Sequence, residues 1–179
     1  MLDFLTSCFA SPRKELKHSS LSSQSSAKVE ECIFCNVTKA NGFDVLWEDE
    51  KYIVFRDHKP ASEHHLLVIT RGHIGSVKSL TNDDAELVKD MERIGHARFD
   101  ELGVSPTARR LGFHIPPFNS VNHLHLHVLS LPFRHAILGA VYPFIHGRPG
   151  YEKGWTWFAE VGQTVRILEK GGRVQVKAC

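Results

Sequence analysis

The sequence predicts an α+β fold, an antiparallel sheet packed on one main helix, and three observations carry that expectation. Short apolar–polar alternations of strand period lie before residue 71 and again after residue 108. A single longer stretch of helical spacing separates them, and Pro116-Pro117 supplies a turn between the last two strand-like segments. The order strands, helix, strands is that of an α+β unit rather than of alternating βαβ crossovers.

The first 27 or so residues are Ser-rich, ending in HSSLSSQSS, and hold too few apolar side chains to offset the entropy of ordering. They are expected to form a disordered arm at 1–27, followed by one domain over 28–135. Strands are expected around VLWE at 45–48, KYIVFRD at 51–57 and HHLLVIT at 64–70. Thr81-Asn-Asp-Asp84 then places a capping side chain and acidic groups ahead of Leu87, Val88, Met91, Ile94 and Phe99, which recur at helical spacing until Gly103. RRLGFHI and VNHLHLHVLSL complete the sheet. Residues 136–179 form a C-terminal extension with one short helix expected from the spacing of Val161, Val165 and Leu168 before Gly171-Gly172.

Composition narrows the function classes. With 179 residues and 42% hydrophobic content the chain can bury one sizeable core. The formal charge is +2 and the Lys and Arg residues are interspersed with Asp and Glu, so nucleic acid is not expected as the main partner. No apolar run approaches the ~20 residues that cross a bilayer, and MLDFLTSCFASPRK lacks the basic start and long apolar run of a secretory signal. The expectation is a soluble protein of the cytoplasm, extending to the nucleus. Four cysteines, two of them Cys32 and Cys35 in a C-x-x-C, suit a metal clip or buried thiols in a reducing compartment better than a disulfide scaffold.

The segment that carries chemistry is Asn119-Ser-Val-Asn-His123-Leu-His125-Leu-His127-Val-Leu129. In a strand alternate side chains share a face, so the three imidazoles point one way and Leu124, Leu126 and Val128 the other. An amphipathic strand with a polar outer face would explain one histidine. Three in register are better explained by a cleft in which protons or metals are handled. Same-face neighbours stand ~6.5–7 Å apart along a strand, too far for all three rings to hold one ion at Zn–N bonds of ~2.0–2.1 Å, so the row is expected to divide its labour.

Cys32 and Cys35 supply two thiolates, and His123 with one further histidine could complete a tetrahedral zinc site; buried small hydrophobes are the alternative. Of the remaining pair, one imidazole can accept a phosphoryl group on one nitrogen while its other nitrogen donates to an orienting acceptor, either His127 or a carbonyl. The Ser120 hydroxyl can donate to a leaving atom or only to its own loop. Asp57 can accept from a ribose diol or simply start the turn toward Pro60.

His-φ-His-φ-His-φ-φ, with φ apolar, is fitted by His123 to Leu129, and the chain thereby resembles the histidine triad superfamily. Cys32-Ile-Phe-Cys35, Phe55-Arg-Asp57, His65-Leu-Leu-Val-Ile and Arg71-Gly-His73-Ile follow the order of its nucleotide-binding branch. Leu111-Gly-Phe-His-Ile-Pro-Pro-Phe118 is similar to the third subgroup of histidine triad nucleotide-binding proteins, a set of adenosine phosphoramidases. The resemblance implies a half-barrel of five strands with a main helix, paired into a homodimer or a larger homo-oligomer, and a purine nucleotide substrate.

By position, it makes His125 the nucleophile that forms an AMP-histidine intermediate, His127 the phosphate-binding partner and Ser120 the leaving-group serine. Asp57 falls at the ribose position, and Ile33, Phe34, Val37 and Phe55 at positions lining the purine pocket. Cys32, Cys35, His73 and His123 match the four ligands of a structural zinc, with no metal required for catalysis. Departures occur at nucleotide-facing positions: His58 where relatives carry a branched apolar residue, Gly112 where they often carry Asn, and Phe118-Asn119 in place of Gly-Gln.

The implied reaction is removal of AMP from adenosine phosphoramidates and acyl- or aminoacyl-adenylates. Alternatives are a diadenosine polyphosphate hydrolase and a nucleotide-binding interaction protein whose hydrolysis is incidental. A nucleotidyltransferase relative would carry Gln in place of His127. A DNA-adenylate hydrolase would add a zinc finger after the triad, where only Cys179 follows.

Overall fold

A computed structural model describes residues 32–179; the Ser-rich arm expected at 1–27, with Cys8, lies outside the described residues. Six strands form one antiparallel sheet: β1 (Val45–Glu48), β2 (Tyr52–Arg56), β3 (His65–Thr70), β4 (Arg109–His114), β5 (His125–Ser130) and β6 (Phe158–Glu160), in spatial order β1-β2-β3-β5-β4-β6. The five strands implied for the domain over 28–135 are β1 to β5. The sixth comes from the C-terminal segment and adds to the edge of β4, with Gly112 opposite Glu160 and His114 opposite Phe158. Three residues are too few to show an alternation, so this strand had no sequence signal.

Alternation divides the sheet into two apolar faces. Val54, Leu66, Val68, Leu111, Leu126 and Val128 turn one way, onto α1 (Ala85–Glu101) and α2 (Val161–Glu169), and form the main core. Ile53, Phe55, Leu67 and Ile69 turn the other way and meet Phe34, Val37 and Val45. Each such side chain, once fully buried, contributes roughly 1.5–3 kcal/mol of transfer free energy.

At the start of α1 the Thr81 backbone N–H (2.7 Å) and hydroxyl (3.1 Å) both donate to the Asp84 carboxylate, which ties the entry turn to the chain before it. Val88, Met91, Ile94 and Phe99 are buried on its inner stripe, and Gly103 at φ +69° ends the run in a conformation that favours glycine. α2 buries Val161, Val165 and Leu168 in the same core. Among the described residues no helix is long and apolar enough to cross a membrane.

Candidate functional site

His125 and His127 point from β5 toward the second, only partly covered face of the sheet, where a cavity of about 570 Å³ opens. Ile33, Phe34, Phe55, Asp57, His58 and Ser120 line it with the two histidines, so eight of the residues singled out in the sequence meet around one space. Its aromatic wall is continuous: Phe34 stands edge-on to Phe55 at 5.4 Å and to the His125 ring at 5.5 Å, and Phe43 is edge-on to Phe55 at 5.2 Å. Such a slot suits a flat, weakly polar ring.

Two of the expected nucleotide-facing residues stand elsewhere. Val37 is buried behind the wall, in the cluster that backs Phe34. Asn119 spends its side-chain amide inside its own loop, donating to the Val121 carbonyl at 2.9 Å and to Asn122 Oδ1 at 3.0 Å. His58 is exposed at the rim, its ring 3.5 Å from the Asp57 carboxylate. Asp57 itself accepts from the Lys59 backbone N–H at 2.8 Å through Oδ1, while Oδ2 faces His65.

The three triad histidines are all buried, which excludes a solvated outer face as their explanation. His125 Nδ1–H donates to the carbonyl of His123 at 2.6 Å, a bond that only the Nδ1-protonated ring can make. Burial pushes the pKa of His125 down to about 4 despite that bond, so the ring is neutral near pH 7 with a bare Nε2. A neutral imidazole oriented by a fixed carbonyl is an activated nucleophile.

His127 is more enclosed. Its Nδ1 lies 2.9 Å from His65 Nε2 and its Nε2 3.0 Å from His114 Nδ1, and His114 Nε2 lies 2.9 Å from the Val141 carbonyl. Both ring nitrogens of His127 are therefore engaged by protein. The register explains the convergence, since Leu67 of β3 and Gly112 of β4 both stand opposite His127. Burial lowers the pKa of His65 to about 4, and it also lowers those of His114 and His127.

His123, at the entry to β5, serves a separate cluster. Its Nε2–H donates to the Thr70 carbonyl at 2.7 Å, leaving Nδ1 bare and 3.5 Å and 3.6 Å from the sulfurs of Cys32 and Cys35. Cys35 lies 3.3 Å from His73 Nδ1, and the four donor atoms all fall within 4.8 Å of one another. Tetrahedral zinc with Zn–S of about 2.3 Å and Zn–N of about 2.0–2.1 Å would set sulfur and nitrogen about 3.6 Å apart, so the donor set fits a metal. The Thr70 carbonyl supplies the outer hydrogen bond that ligating histidines usually make.

Sequence reasoning left several residues of the site unassigned. His65 opens β3 and was visible only as part of an apolar motif. His114 lies in β4 with its ring 5.2 Å from that of Phe158, and Tyr142 stands 5.0–5.6 Å from the rings of His114, His127 and His65. No local pattern marks them, because each reaches the site through the sheet register or from the C-terminal segment.

Comparison with known proteins adds an independent measure. Residues 31–141 match the family model described as "Scavenger mRNA decapping enzyme C-term binding". The adenosine 5'-monophosphoramidase HINT3 of Xenopus tropicalis is 41% identical over 102 residues, 55% of this chain and 67% of that protein. The adenosine 5'-monophosphoramidase HINT3 of Danio rerio is 38% identical over 143 residues, 78% of this chain and 83% of that protein. Among solved structures, a HIT family hydrolase from Clostridium thermocellum superimposes with a TM-score of 0.53 at 29% identity, covering 57% of this chain and 92% of its own.

Proposed function

The chain belongs to the histidine triad superfamily, and from that premise we propose that it hydrolyses adenosine phosphoramidates and related acyl- or aminoacyl-adenylates through a covalent AMP–histidine intermediate on His125. One observation carries the reading: inside a 570 Å³ cavity, the His123 carbonyl holds the Nδ1–H of His125 at 2.6 Å and leaves its Nε2 free.

The base enters the slot between Ile33, Phe34 and Phe55, and the Asp57 carboxylate accepts from the ribose hydroxyls. His125 Nε2 attacks the α-phosphorus in line and the P–N or P–O bond to the leaving group breaks. The new imidazolium keeps its Nδ1–H on the His123 carbonyl, whose partial charge stabilises the positive ring. Ser120, at the cavity edge, donates toward the departing amine or acyl oxygen, and positioned proton transfer of this kind contributes ~10²–10⁴-fold. Water then attacks the phosphorus, the P–Nε2 bond breaks to return a neutral His125 and release AMP, and the proton lost by the water replaces the one that Ser120 passes to a departing amine. His127, beside His125 at 5.0 Å between ring centroids, backs the reacting ring, its own two nitrogens held by His65 and His114 rather than free for the phosphate-binding role that the resemblance implied.

Cys32, Cys35, His73 and His123 hold a structural zinc in this reading. A closed set of four protein ligands leaves no position for an activated water, so the metal cross-links the chain ahead of β1 to the loop after β3 and the start of β5.

The test is release of AMP from adenosine phosphoramidate by the parent protein and by His125→Ala, with diadenosine polyphosphate run alongside. Turnover by the parent, abolished in the variant and slower on the diadenosine substrate, supports the proposal. Parent-like turnover in His125→Ala ends it, and tight AMP binding without turnover of any substrate favours a binding protein instead.

A further inference from the structure

The histidine row continues past the triad, and its far end lies in the C-terminal segment. A carbonyl can only accept, so the contact at Val141 requires His114 to carry its proton on Nε2. In a neutral ring Nδ1 is then bare, and the 3.0 Å contact requires His127 to donate from Nε2. His127 Nδ1 is bare in turn and accepts from His65 Nε2–H at 2.9 Å. At the other end a backbone donor closes the row, with the Ala61 N–H reaching His65 Nδ1 at 3.2 Å. Two main-chain groups of opposite character thus impose one polarity on three imidazoles, and each ring nitrogen in the row has a partner, with His65 Nε2 also 3.5 Å from Asp57 Oδ2.

From this geometry we propose that His114 is a positioning residue for His127: it accepts the Nε2 proton of that ring and, through the Val141 carbonyl, ties the ring's orientation to the C-terminal segment. The proposal deepens the reading of His125 as nucleophile, since His127 is the imidazole next to it.

The surroundings fit a fixed ring pair. The Val141 carbonyl also takes the Trp157 indole N–H at 3.3 Å, and Arg110 donates to the next carbonyl, Tyr142, at 2.9 Å, so the acceptor is itself anchored. Tyr142 and Phe158 stand 5.0 Å and 5.2 Å from the His114 ring and leave it little freedom to turn. Burial holds His65, His114 and His127 in the neutral forms that the row requires. A ring bonded at both nitrogens and boxed by aromatics keeps one orientation, and small misplacements beside a reacting centre are costly.

The experiment combines imidazole ¹⁵N–¹H NMR of the substrate-free protein with steady-state kinetics of His114→Leu and His114→Asn. Asn places an acceptor oxygen where His114 Nδ1 stands, whereas Leu places none. The expected result is an Nε2–H tautomer for His65, His127 and His114, with the His127 ring proton protected from exchange in the parent and in His114→Asn but not in His114→Leu. Alongside it, kcat falls about tenfold or more in His114→Leu with KM within about threefold, and His114→Asn recovers most of the loss. Should His114→Leu fail to fold, His114→Gln, which can serve Val141 but not His127, takes its place in both arms. An Nδ1–H tautomer at His127, an unchanged His127 proton in the Leu or Gln variant, or equal kinetics in all variants would overturn the proposal. The ring protons decide it even in a protein that turns nothing over, so its failure and that of the proposed reaction are separable.

Discussion

No side chain fits at Gly112, because a Cβ there would lie 2.4 Å from the ring of Phe158 and 2.5 Å from the Ala159 carbonyl. The glycine faces His127 across the β4–β5 pair and Glu160 across the β4–β6 pair, so it is the point at which the C-terminal strand closes over the histidines. The space over this glycine is filled by Phe158. Gly112→Ala is expected to destabilise by about 1–3 kcal/mol, the usual range for overpacking, and Gly112→Asn by more. Thermal melts check this, since about 1 kcal/mol moves the midpoint by roughly 2–4 °C in a domain of this size. Unchanged melting in both variants would mean that β6 does not pack on β4.

Asp57 reaches the cavity with a carboxylate already committed on one oxygen to the Lys59 backbone. Asn keeps that acceptor and loses the charge. Asp57→Asn should therefore fold normally, raise KM for adenosine phosphoramidate by about tenfold and change kcat far less, as expected when ground state and transition state lose the same ribose contact. A 2'-deoxy substrate should lose less affinity on the variant than on the parent; equal losses on both would remove Asp57 from the ribose site.

Acid stability follows from the buried row. His65 titrates near 4 in the folded chain against an ordinary 6.5, with burial as the main cause. Between those values the unfolded chain binds the proton and the folded chain does not, so stability declines as pH falls from about 6.5 toward 4 and levels off below. Each such histidine costs up to about 1.4 kcal/mol per pH unit across that window, and His114 and His127 shift in the same direction. Melting temperature measured from pH 7.5 to 4.5 should drop steeply below 6.5; a flat profile would show that these rings are charged in the fold.

Metal analysis of the purified protein is expected to find about one zinc per chain, and Cys35→Ser to lower it. Chelation should reduce the melting temperature while leaving kcat within a few-fold at low temperature, because a closed four-ligand site offers no position to substrate. Loss of turnover with unchanged melting would place the metal in catalysis instead.

Much of the site could be read locally. The spacing of His123, His125 and His127 already implies that an end ring serves something different from the other two, since strand geometry sets same-face neighbours at a fixed distance. Cys32 and Cys35 stand three residues apart, and the fold brings His73 and His123 to them, the cluster that the resemblance implied. The periodic apolar residues of α1 and of β1 to β5 likewise carry their own signal. The Asn119 amide bonds within its own loop, and sequence does not separate an amide that serves its neighbours from one that meets a ligand.

What the sequence determined by itself was therefore the chemistry of neighbours along the chain: period, caps, the imidazole row and the cysteine pair, all set within a few residues by backbone geometry. Only the tertiary structure decided which distant groups complete them. His65 meets His127 across 62 positions of chain, His114 finds its acceptor at Val141, and Phe158 takes the space over Gly112. Those contacts arise from strand register and from the packing of the C-terminal segment, which depend on how whole faces bury together rather than on any local pattern.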